Sequence, residues 1–155
     1  MPRTSISGSQ HTFRSLDDYV GHWLRRAHQA AGATLARHIR EHDVTPAQLA
    51  TLLRLREVGR ISQNELGRAV AMERANIHRI VDGLSGRGLV LVAADPSDAR
   101  KNVLSLSQTG RDLVERLEPL HADATNETMR TFTPAERERL LELLQKFCAA
   151  AHAVS

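Results

Sequence analysis

Cysteine is almost absent: Cys148 is the single one in 155 residues, so no intramolecular disulfide staples the chain and its core must come from apolar packing. That usage fits a reducing compartment, and Cys148 is expected to pack within a helix rather than to sense oxidants. Aromatic residues are scarce at 3%, with one tryptophan and one tyrosine, so any place where they gather carries weight. No run approaches the ~20 consecutive apolar residues of a membrane span, and residues 1–15 lack the apolar centre of a signal peptide. The expectation is a cytoplasmic chain with no membrane partner and a flexible start over residues 1–15. A glycine-rich phosphate loop, a metalloprotease histidine pair and a nucleophile elbow are also missing, and scattered serines, histidines and aspartates do not make a triad. The sequence therefore reads as a non-enzyme without a cofactor.

Charge is nearly balanced at +3, but unevenly placed. Residues 54–101 carry nine basic and six acidic side chains, whereas residues 102–155 carry six and eight. Nineteen of the 21 basic residues are arginine, whose planar fork matches phosphate and guanine edges, although a general arginine bias would produce the same excess.

Helix starts are legible. Thr45-Pro46-Ala47-Gln48, Ser62-Gln63-Asn64-Glu65 and Thr133-Pro134-Ala135-Glu136 each offer a capping box, with Ser15 and Asp18 a weaker fourth; Val44/Leu49 and Ile61/Leu66 are placed as hydrophobic staples. Apolar spacing predicts one long helix from Leu16 to about Glu41, then helices near 46–58, 63–70, 73–87, 108–130 and 134–152. Pro119 is expected to bend the fifth of these unless its neighbours absorb the lost hydrogen bond. Between residues 89 and 106, two β-prone runs flank the turn Asp95-Pro96-Ser97-Asp98, followed by Arg100 and Lys101.

This order describes a mainly α fold with a small β-wing: a winged helix-turn-helix over 45–107, preceded by a dimerisation helix over 16–44 and followed by C-terminal dimerisation helices over 108–155. The thin stripes Leu113/Leu117/Leu120 and Leu140/Leu141/Leu144/Phe147 are expected to bury against a second copy of the chain. At 100° per residue, Ile77, Ile80, Val81 and Leu84 turn inward, leaving Ala75, His78, Arg79 and Asp82 outward and Arg74 and Asn76 on the flanks. Taken alone, that outward set is what any solvated helix face shows. Beside an arginine-tipped wing it suits a helix in the major groove, with small residues for approach and polar ones for reading base edges.

The helix order, the Asp95-Pro96-x-Asp98-x-Arg100 turn and the continuation Leu104-x-Leu106-Ser107-x-x-Gly110 resemble the MarR (multiple-antibiotic-resistance regulator) family over residues 16–150. The resemblance implies a homodimeric transcription factor on a pseudo-palindromic DNA operator, with a small ligand between the dimerisation helices and the lobe. It assigns Arg100 to the minor groove, Asp98 to bracing it, and residues 74–79 to the start of the recognition helix, which with Lys101 completes the expected DNA-binding set. Leu91-Val92-Ala93-Ala94 stands where the family often places arginines, Ala75 and Asn76 where serine and threonine are common, and Gly83 and Gly86 where longer side chains are usual, so operator preference does not transfer.

For the effector, Tyr19, His22, Trp23 and Arg26 fall at i, i+3, i+4 and i+7, an aromatic wall with a cation that suits a small aromatic or heteroaromatic acid; a plain dimer core accounts for Trp23 equally. His38 and His42, at i, i+4, leave a metal-responsive regulator open as an alternative, without enough further ligands nearby to assign a metal. A winged-helix protein-interaction module is the other alternative, opposed by the exposed arginines. The leading expectation is a repressor released from DNA by its ligand.

Overall fold

A computed structural model describes residues 15–152, with the side chains of residues 99, 100, 151 and 152 outside the described set. The elements, in order, are α1 (Val20–Ile39), α2 (Pro46–Val58), β1 (Ile61–Ser62), α3 (Gln63–Ala69), α4 (Arg74–Gly86), β2 (Val90–Asp95), β3 (Asp98–Leu106), α5 (Gln108–Thr128) and α6 (Pro134–His152). Of the flexible start expected over residues 1–15, residues 1–14 lie outside the described residues, and Ser15 caps the first turn.

Every expected capping box forms. Thr45 Oγ1 accepts from the Gln48 amide at 3.2 Å while Gln48 Oε1 accepts from the Thr45 amide at 2.9 Å, and Ser62/Glu65 and Thr133/Glu136 repeat the exchange. Ser15 and Asp18 close theirs on a 3₁₀ turn, Leu16–Asp18, and not on α1 itself. Tyr19 is extended at φ −99°, ψ 120°, which separates that turn from α1. At the other end α1 stops at Ile39, and a second 3₁₀ turn closes on Asp43 in the left-handed region. The single helix expected from 16 to 41 is thus a 20-residue helix between two tight turns.

The core is one cluster. Leu49, Leu52 and Leu55 from α2 meet Leu66, the α4 stripe Ile77, Ile80, Val81 and Leu84, and Leu89, Val90, Leu104 and Leu106 from the wing base. The inward face of α4 is the one its spacing predicts; burying such aliphatic side chains stabilises by about 1.5–3 kcal/mol each. The antiparallel sheet runs β1-β3-β2, with Ile61 opposite Leu104 and Val90 opposite Leu106. β1 was not expected, because two residues show no periodicity.

α5 differs from expectation in two ways. Leu113, Val114 and Leu117 are buried in the lobe's own core, so this stripe is satisfied within one chain and not reserved for a partner. Pro119 does not break the helix, since its own side chain is exposed and Leu117 and Leu120 pack on the core to either side. α6 behaves oppositely: Leu141 and Phe147 are 58% and 51% exposed, and Cys148, expected to pack, is exposed as well. No described helix is long and apolar enough to cross a membrane.

Candidate nucleic-acid interface and effector cleft

α3 and α4 are joined by a tight turn. The Met72 amide donates to Gly67 O at 2.8 Å and the Ala71 amide to Arg68 O at 3.2 Å, with Ala71 at φ 52°. This is a Schellman stop with alanine where glycine is usual, and it fixes the angle at which α4 leaves α3. The N-cap of α4, Glu73, makes no side-chain cap hydrogen bond, so its side chain leaves the first N–H groups of the helix uncapped. A helix start left open in this way suits a phosphate oxygen.

On the outward face, Arg74, Ala75, His78 and Arg79 are exposed and Asn76 is half-buried. Many arginines elsewhere are committed internally: Arg37 to Glu127, Arg56 to Glu118, Arg111 to Leu106 O, and Arg139 to Glu142. Arg74 and Arg79, by contrast, meet no carboxylate among the described residues. Arg79 Nη2 donates to Asn76 Oδ1 at 3.0 Å, a neutral contact that steers the guanidinium without cancelling its charge. His78 is less available than its exposure implies, lying 3.4 Å from Asp82 and 3.3 Å from Gln63 Nε2. Gln63, at the start of α3, is a residue the sequence did not single out, because its contact with α4 exists only in space.

The wing turn is Pro96-Ser97, closed by Asp95 Oδ1, which accepts from the Ser97 amide at 2.7 Å and from Ser97 Oγ at 2.6 Å. The Ser97 hydroxyl, foremost, holds the Asp95 carboxyl below its ordinary range, because these turn-closing hydrogen bonds favour the ionised carboxylate. The backbone of Arg100 lies in β3, three residues beyond that turn, and its side chain lies outside the described residues, as does any bracing of it by Asp98. Asp98 Oδ2 is 3.9 Å from Lys101 Nζ, and Lys101 is exposed beside it. On β2, Leu91 and Val92 are exposed apolar side chains, so that strand offers no cation.

Behind α4, the helix α1, the start of α2, the α3–α4 turn and α5 form a cleft of about 850 Å³. Its walls are mainly apolar, among them Leu35, Pro46, Val70, Met72 and Met129, within the size range of small-ligand sites. Thr125 and Thr128, also in the wall, donate their hydroxyl protons to the His121 and Ala124 carbonyls one turn back. The side-chain donors left to meet an anion are His28, Gln29, Thr45, Asn76 and His121. The histidines were missed because a lone histidine on a long helix carries no signal until the helices meet.

None of Tyr19, His22, Trp23 and Arg26 lines this cleft. Three of them do gather: His22 and Trp23 meet edge to face at 5.7 Å, and the Arg26 guanidinium lies 5.3 Å from the centre of the Trp23 ring. Trp23 Nε1 donates to Asp17 O at 2.8 Å, tying the cluster to the 3₁₀ turn, and Tyr19 sits at the helix N-cap. His38 and His42 are not one turn apart on a helix, since α1 ends between them; His38 Nε2 instead lies 2.8 Å from Glu127 Oε2. Arg37 joins the same carboxylate at 2.6 Å, and these two contacts, Arg37 foremost, depress the Glu127 carboxyl to about 2. No group of three or more metal-ligating side chains occurs among the described residues.

Residues 42–101 match the MarR family, the span from the end of α1 to the wing. The chain is 35% identical to the HTH-type transcriptional repressor NicR of Pseudomonas putida, over 83% of this chain and 82% of that one. The structure of Bordetella bronchiseptica BpsR, studied for regulation of its DNA binding by 6-hydroxynicotinic acid, superposes with a TM-score of 0.82 at 34% identity, covering 88% of this chain and 97% of that. The repressor CouR, solved on a 23-mer DNA duplex, superposes at 0.79 with 28% identity, covering 86% and 94%.

Proposed function

Since the chain belongs to the MarR family of transcriptional regulators, we propose that it is a repressor that grips a pseudo-palindromic operator as a homodimer and lets go when a small aromatic acid binds. The observation that carries this reading is the start of α4, where an uncapped helix N-terminus, small Ala75, and Arg74 and Arg79 without carboxylate partners among the described residues stand together on one exposed face. A surface of that kind leaves its cations for phosphates and base edges. Arg79 reads a base, Arg74 and Lys101 hold phosphates, and Arg100 on the wing enters the minor groove. His78 and Asp98 support these contacts from beside them.

Pairing of two chains accounts for the apolar side chains left exposed at both chain ends, Leu16, Val20 and Trp23 near the start of α1 and Leu141 and Phe147 on α6. The effector occupies the cleft behind α4, its ring against the apolar walls and its carboxylate on His28 or His121. A pyridine carboxylate such as 6-hydroxynicotinate, which regulates DNA binding by BpsR, is the first candidate. The His22/Trp23/Arg26 cluster lies on the opening turns of a cleft-forming helix, with Tyr19 at its N-cap, where pairing offers them to a partner's effector. Release follows when the acid binds a DNA-incompetent arrangement more tightly than the competent one.

The test is fluorescence anisotropy with DNA taken from the region flanking the protein's own gene. Affinity should fall steeply with salt, and Arg79→Ala should cost about 1–3 kcal/mol and relax selectivity at one base pair in each half-site. Adding 6-hydroxynicotinate should weaken binding. A flat salt response with unaltered affinity in Arg79→Ala would favour a protein-interaction role for the same fold.

A further inference from the structure

The effector cleft and the shallow depression beside the reading arginine share a wall made of Ala71, Met72 and Asn76. Of these three only Asn76 carries a polar side chain, and only its carboxamide touches Arg79. We propose that Asn76 transmits occupancy of the cleft to the DNA-reading arginine: a carboxylate in the cleft recruits the Asn76 carboxamide, which then lets Arg79 go. This rests on the reading of the cleft as the effector site, and it adds the residue through which that site acts.

The geometry behind it is short-range. Asn76 is half-buried at the third position of α4, next to the fixed turn at Ala71, so its backbone is held while its side chain keeps two rotatable bonds. Oδ1 accepts from Arg79 Nη2, and this bond restrains the guanidinium over the outer face. Thr125 and Thr128 have their protons engaged by backbone carbonyls, so an anion seated among apolar walls draws on the few remaining donors, and the Asn76 amide is the one on the reading helix. Rotation of the carboxamide toward the cleft withdraws Oδ1 from Arg79. The arginine then keeps its charge but loses its aim, which costs selectivity and affinity together.

The experiment places an aromatic carboxylate in the cleft covalently. In a Cys148→Ser background, Thr128→Cys is labelled with 5,5′-dithiobis(2-nitrobenzoate), which leaves a thionitrobenzoate on the cleft wall and releases one coloured thiolate per label. Operator DNA is a duplex enriched from random sequence by the parent chain. Labelling should weaken operator binding at least tenfold when Asn76 is present and less than threefold with Asn76→Ala, and Arg79→Ala should be equally indifferent to the label. Asn76→Ser, too short to reach Arg79, repeats the comparison should Asn76→Ala fold poorly. Equal losses with and without Asn76 would overturn the Asn76 link while leaving the cleft as a control site. No loss in either chain would overturn the cleft reading and the link with it.

Discussion

Gly110 is the third residue of α5, and ordinary helix propensity says that alanine there should stabilise by up to about 1 kcal/mol. The packing says the opposite. A Cβ built on Gly110 would stand 2.1 Å from the Leu89 carbonyl oxygen and 3.3 Å from Leu106 Cδ2. Carbon and carbonyl oxygen settle near ~3.3 Å, so α5 and the base of β2 would have to part by about 1 Å. That carbonyl accepts from the Ser107 amide at 3.1 Å, and Ser107 Oγ donates to Gly88 O at 2.6 Å while accepting from the Gly110 amide at 2.9 Å. Leaving a buried member of that set unpaired costs about 1–3 kcal/mol, and the strain of overpacking about as much again. Set against the propensity gain, Gly110→Ala should destabilise by about 1–5 kcal/mol. Urea unfolding followed by far-UV circular dichroism, at matched protomer concentration, measures it. Gly83→Ala is the internal control, because its Cβ would meet nothing within 4 Å and only the propensity gain should remain. Stabilisation by Gly110→Ala, or a loss below about 0.5 kcal/mol, would refute the claim that this contact fixes α5 to the wing.

Ala71→Gly should raise stability by up to about 1 kcal/mol, since the left-handed conformation penalises a Cβ by more than glycine's extra freedom costs in the unfolded chain; a lower urea midpoint would contradict that. Glu127 titrates near 2 when folded against an ordinary 4.5, so its contribution is complete above pH 4.5 and disappears as pH falls toward 2. Between those limits the urea midpoint of the parent chain should drop more steeply than that of Glu127→Gln, and parallel curves would show that the Arg37/His38 contacts do not favour the folded state. Phe147→Glu should shift the chain to monomer in sedimentation equilibrium, because the substituted position is half-exposed and apolar on a helix that buries no described side chain in its own chain; an unchanged dimer would remove α6 from the interface.

What could be read from sequence was what is local. Capping boxes are signalled within four residues, and the α4 stripe within eight, so Thr45/Gln48 and Ile77/Leu84 were visible without neighbours. The features that escaped are made by distant segments. β1 exists because Ile61 and Ser62 happen to lie against Leu104 and Val103, and the cleft exists because α1, the α3–α4 turn and α5 converge. Tyr19 shows a different limit: spacing placed it on the helix with His22, Trp23 and Arg26, whereas the box at Ser15 ends its own short turn first and leaves Tyr19 extended.

An apolar stripe says that something will cover it, never what. Leu113 and Leu117 looked like Leu141 and Phe147, yet the first pair lies in the lobe's own core and the second lies bare. The difference traces to Gly110, because only a residue without Cβ lets the opening turn of α5 sit directly on the Leu89 carbonyl and carry the next two turns into the core. α5 is therefore rooted in the wing at one end and bound to α1 through Glu127 at the other, with a wall of the cleft between. A helix held at both ends resists bending, so the cleft wall that α5 forms would stay in place when a ligand enters, and the response would fall to Asn76, the one polar side chain the cleft shares with the Arg79 face.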